Sequence, residues 1–179
     1  MNIAAKAKFN IERDLPRALA RNEFTLRYQP QLDIRNGRVV GVEALLRWVH
    51  PERAAVGPAQ FIPAAEASGL IEAIGEWVLS AACVQARAWQ ASGLPEMTVA
   101  VNLSARQCLN PCLHDTVVRV LNDTGVDPQR LELEITESVA MSGTHPSFTE
   151  QPHCDTAAWR EAQRPAHGGA VVGKSARSP

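Results

Sequence analysis

Val39-Val40-Gly41-Val42-Glu43-Ala44-Leu45-Leu46-Arg47 (residues 39–47) is an apolar, β-branched run interrupted by one carboxylate. β-Branched residues suit the pleated backbone, and an almost continuous apolar strand belongs in the middle of a sheet, so a central strand is predicted over 39–46. Ahead of it, Asn36-Gly37 is a strong turn signal. Before the turn, residues 24–29 (Phe-Thr-Leu-Arg-Tyr-Gln) alternate apolar and polar, as a half-buried strand does. These two strands lie too close together for a crossover helix, so they are expected to pair antiparallel.

Outward from this hairpin, strands alternate with helices. Residues 11–21 read as an amphipathic helix, with Ile11, Leu15, Ala18 and Leu19 on one face. His50-Pro51 and Gly57-Pro58 mark a loop, after which residues 58–67 and 70–92 read as two helices, closed by Ser68-Gly69 and Gly93. A short strand is predicted at 98–103, an amphipathic helix at 108–123 stopped by Thr124-Gly125, and a last strand at 131–135. Such alternation argues for parallel βαβ units. Four strands with their helices fill about half of a (β/α)₈ barrel, which usually takes about 250 residues. From Ser142 onward, breakers such as His145-Pro146, Gln151-Pro152 and Gly168-Gly169 recur at short intervals, and a disordered tail is expected.

Composition narrows the function classes. A 45% hydrophobic and 21% charged chain of 179 residues has the make-up of a globular domain with a real core. A formal net charge of −1 gives no electrostatic case for nucleic acid as a partner. No apolar run approaches membrane-span length, and the first residues lack the apolar block of a secretory signal, so a cytoplasmic protein is expected. Cys108, Cys112 and His114 fit no standard zinc spacing, and the cysteines are expected to be idle thiols.

Three residues sit where chemistry is made. Glu43 interrupts an apolar strand, so it is paired, metal-bound or placed at the strand's exposed mouth. Pairing with Arg47 would have to reach across four strand residues, roughly 13 Å. Asn102, after Val-Ala-Val, reads by itself as a turn or cap residue sooner than as a ligand. Glu132 and Glu134 share a strand face; solvent explains Glu132, while Glu134 in a closed core calls for a cation. Carboxylate and amide oxygens at the ends of successive strands suit a hard divalent cation, and barrels gather functional groups at that mouth.

These words together resemble the EAL domain, a bacterial family that hydrolyses cyclic di-GMP to linear pGpG. The likeness runs in order through Tyr28-Gln29-Pro30-Gln31, Glu43-Ala44-Leu45-Leu46-Arg47-Trp48, Phe61-Ile62-Pro63-Ala64-Ala65-Glu66, Gly75-Glu76-Trp77-Val78-Leu79, Val101-Asn102-Leu103-Ser104 and Glu134-Ile135-Thr136-Glu137-Ser138. It implies an α/β fold, an incomplete TIM-like (β/α)₈ barrel with its first strand antiparallel. It also implies a Mg²⁺ or Mn²⁺ site on Glu43, Asn102 and Glu134, with Arg47 and Gln29 contacting cyclic di-GMP.

The family's Asp-Asp-Phe-Gly-Thr-Gly segment does not occur, and Lys174 lacks the context of its later lysine. The expectation is therefore a lead-in over 1–10, a partial EAL domain over 11–141 and a non-family tail over 142–179. No catalytic base is assigned, and the chain alone is expected to be inactive. The alternatives are a degenerate module that binds cyclic di-GMP without cleaving it, or an interaction module whose open barrel edges are covered by a second copy or another partner.

Overall fold

Asn36 and Gly37 turn the chain in the computed structural model, which describes residues 3–52 and 56–135, the side chains of 3–8 excepted. Gly37 takes φ +68°, a left-handed conformation natural to glycine, and its N–H donates to the Asp33 carbonyl at 2.7 Å. The turn joins β1 (Phe24–Leu32) to β2 (Val39–Trp48) in an antiparallel register from Phe24↔Trp48 to Leu32↔Val39. Parallel β3 (Thr98–Leu103) and β4 (Leu131–Ile135) follow, giving one sheet in the order β1-β2-β3-β4. β2 is central, as its apolar run predicts.

The helices lie on one side of this sheet. α1 (Ile3–Ala18) precedes β1, starting earlier and ending sooner than the predicted 11–21. α2 (Pro58–Ser68) and α3 (Leu70–Ala91) connect β2 to β3. The helix expected over 108–123 starts later, as α5 (Leu113–Thr124), and a separate short helix, α4 (Ala105–Cys108), precedes it. Pro111 explains the break, since it lacks an N–H and restricts Asn110 before it. Asn110 then accepts the Cys112 N–H through Oδ1 at 2.8 Å. Cys83, which is buried, and Cys108 are free thiols. The expected tail from Ser142, with Glu137, Ser138 and Lys174, lies outside the described residues.

Strand alternation decides what is core. Val42, Ala44 and Trp48 of β2 and Val99 and Val101 of β3 are buried with Ile71, Ile74, Val78, Leu79 and Ala82 of α3. Phe24, Trp48 and Phe61 meet at ring separations of 5.7–6.0 Å, adding aromatic contact to burial. Tyr28 packs edge-on against Trp89 at 4.8 Å. Desolvation, with a smaller contribution from Cys83, pushes its phenol up to about 12 from an ordinary 10.0. A raised folded value favours the protonated phenol, so this stabilisation is whole below pH 10 and declines as pH rises toward 12. Urea midpoints should therefore fall from pH 9 to 11.5 in the wild type, and fall less in Tyr28→Phe.

The exit of β3 is pinned by Gln107, whose Oε1 accepts the Ser104 N–H at 3.1 Å while its own N–H donates to Ser104 Oγ at 3.3 Å. Gln107 is buried, and its amide lies against Gly75 of α3 so closely that a Cβ there would come within 1.8 Å of Nε2. Gly75→Ala should therefore cost about 1–3 kcal/mol by overpacking, despite the better helix propensity of alanine. A urea midpoint equal to or above wild type would refute this packing account.

Candidate functional site

Glu43 and Asn102, separated by 59 positions in sequence, touch in the fold. The Asn102 Nδ2 donates to Glu43 Oε1 at 2.7 Å. Register places the other candidates beside them. Gln29 pairs directly with Glu43 across the hairpin, and Glu134 is level with Asn102 on the neighbouring strand. Glu43 is level with Ala100, two residues before Asn102, so period-two alternation puts Gln29, Glu43, Asn102 and Glu134 on one face. This is the face opposite the helices.

Arg47 lies two pleats beyond Glu43 on that face, opposite Thr25. It makes no ion pair with Glu43 within 4.0 Å among the described residues; its Nη1 donates to the Leu46 carbonyl at 2.8 Å. A guanidinium's planar fork suits phosphate. Gln29 and Asn102 are exposed, whereas Glu43, Arg47 and Glu134 are half-buried. Beyond Ala44↔Val101 β2 and β3 no longer pair, and a cavity of about 400 Å³ opens there between Leu45, Leu46, Ile62, Glu66, Asn102 and Ser104.

Two carboxylates and one amide carbonyl form an all-oxygen donor set, and the Asn102 amide, spending its N–H on Glu43, leaves Oδ1 to accept or ligate. That chemistry fits a hard divalent cation such as Mg²⁺ or Mn²⁺. Among the described residues no group of three or more His, Cys, Asp or Glu side chains is arranged to hold a metal ion.

Several polar residues that hold this end of the sheet escape a sequence reading. Trp48 Nε1 donates to Glu23 Oε2 at 2.9 Å. His50 is buried in a segment read only as loop; its Nδ1 accepts the Glu52 N–H, so Nε2 carries the proton and donates to Asp14 Oδ2 at 3.2 Å. Glu76, on the buried stripe of α3, accepts from Arg119 Nη2 at 2.6 Å. A charge inside an apolar pattern was the available signal, but nothing local names a partner 43 residues away.

Comparison with known proteins follows the same stretch. The EAL domain family matches residues 12–161. The chain is 46% identical over 141 residues to MucR, a bifunctional diguanylate cyclase/cyclic di-GMP phosphodiesterase of Pseudomonas aeruginosa, covering 79% of this chain and 21% of MucR. An uncharacterized signaling protein of Caulobacter vibrioides is 48% identical over 138 residues, covering 77% of this chain and 17% of that protein. The solved PaMucR phosphodiesterase in its c-di-GMP complex superposes with TM-score 0.72 at 46% identity, over 75% of this chain and 54% of that one. The Xanthomonas citri FimX EAL domain in complex with c-diGMP does so with TM-score 0.65 at 26% identity, over 77% and 53%. The chain thus spans about a fifth of these curated relatives and about half of these solved chains.

Proposed function

The chain belongs to the EAL domain family, and from that premise we propose that it carries the first part of a metal-dependent cyclic di-GMP phosphodiesterase site. The observation that supports this is the 2.7 Å contact between Asn102 and Glu43, with Glu134 level with Asn102 on the next strand. In this reading Glu43, Asn102 and Glu134 hold Mg²⁺ or Mn²⁺ through oxygen. Arg47 donates to a phosphate of cyclic di-GMP, and the exposed Gln29 amide contacts the same ligand. A bound divalent cation supplies an activated water and stabilises the phosphodiester oxygens. The low-dielectric core beneath keeps Glu43 and Arg47 oriented while their tips remain reachable.

The 179 residues contain no Asp-Asp pair in the family's context. We therefore assign binding to this chain and no turnover when it stands alone. Purified chain with cyclic di-GMP and Mn²⁺ should yield no linear pGpG by chromatography; steady product would overturn that assignment. Calorimetric titration with Mn²⁺ should show binding that weakens at least about 10-fold in Glu43→Ala, as expected when a direct oxygen ligand is removed. Equal affinity in the variant would remove Glu43 from the metal set. Among the described residues no helix is long and apolar enough to cross a membrane.

A further inference from the structure

Arg47 is the penultimate residue of a strand whose end extends past its pairing with β3. β3 pairs with β2 only as far as Ala44, so residues 45–48 depend on β1, on what precedes it and on one bridge from Trp48 to Val56, whose N–H donates to the Trp48 carbonyl at 2.9 Å. There Glu23 acts twice. Its carbonyl accepts the Val49 N–H at 2.7 Å, and its carboxylate accepts the Trp48 indole N–H at 2.9 Å. The Glu23 side chain is only 9% exposed and has a cation, Arg21, at 3.8 Å. Trp48 is fully buried between Phe24 and Phe61. Neighbouring side chains on a strand point to opposite faces, so fixing the indole among the helices fixes Arg47 on the open face.

We propose that Glu23 is a positioning residue for Arg47, clamping the end of β2 so that the guanidinium is presented at the strand tip. The proposal rests on the reading of Arg47 as the phosphate contact. Without the carboxylate, a buried indole N–H loses its acceptor, and the strand end gains freedom where only the single Val56 bridge restrains its other side. Glutamine at the same position keeps an acceptor oxygen and preserves the clamp.

The first measurement needs no ligand. In ¹⁵N relaxation of the full chain, Glu23→Ala should lower the heteronuclear NOE of the Arg47 Nε–Hε group and of the backbone amides of residues 45–49, while Glu23→Gln retains wild-type values. An Arg47 side chain as ordered in Glu23→Ala as in wild type overturns the proposal. The second measurement separates positioning from general loss of structure. Glu23→Ala should weaken cyclic di-GMP binding at least about 10-fold while leaving Mn²⁺ affinity within about two-fold. On an Arg47→Ala background it should have no further effect on cyclic di-GMP. Equal losses for both ligands, or a further loss on that background, overturns the proposal. Wild-type chain that binds no cyclic di-GMP refutes the phosphate role of Arg47, and the relaxation data alone then decide the clamp.

Discussion

Arg47→Ala is expected to weaken cyclic di-GMP binding by at least about 30-fold, because truncating one partner of a charge-assisted contact costs about 2–5 kcal/mol. The guanidinium is half-buried at the strand tip and spends Nη1 on the Leu46 carbonyl, which fixes its plane. In the proposed reading its other N–H groups grip a phosphate as a fork. Arg47→Lys keeps the charge and loses the fork, so it should recover only a small part of the affinity. Calorimetric titration of the three proteins at one ionic strength decides the matter. An alanine variant within about three-fold of wild type would take phosphate recognition away from Arg47.

Phe61→Ala is expected to reduce folding stability by about 3–5 kcal/mol, the usual loss for emptying a fully buried aromatic site. Set against a total of about 5–15 kcal/mol, that loss brings the fold close to its threshold. Phe61 is wholly buried and lies 5.8 Å from Phe24 and 5.7 Å from Trp48 between ring centroids. The cavity left behind would sit directly under the indole that Glu23 holds. Urea denaturation measures the loss, and a shift below about 1 kcal/mol would mean that α2 closes over the gap. Phe61→Leu, leaving a smaller void, should fall between the two.

Residue patterns announced the strands well because a strand's signal is local. The apolar run of 39–47, the Asn36-Gly37 turn and the Leu-Glu-Leu-Glu-Ile alternation needed no distant partner to be read, and the observed β3 and β4 match their predicted limits. The break before α5 was also written locally, in Pro111, but the apolar stripe on either side of it masked the proline's effect. Glu43 and Asn102 were legible as anomalies: a carboxylate in an apolar strand and an amide at a strand end. That they touch was not, since the contact depends on how far β3 slides along β2, and register is a property of the packed sheet. Glu23, His50 and Glu76 lay further out of reach. Each looks like an ordinary polar residue until its acceptor or donor arrives from another element.

With the helices confined to one side, folding and chemistry are carried by alternate positions of the same strands. On β2, Val42, Ala44 and Trp48 are buried, whereas Glu43 and Arg47 between them are only half-buried; on β3, Val101 and Leu103 are buried and Asn102 between them is exposed. A saturation scan read for abundance and for ligand capture would thus show interleaved tolerance, each strand position permissive in one assay and strict in the other. Selection could then retune what the sheet holds without disturbing whether it forms.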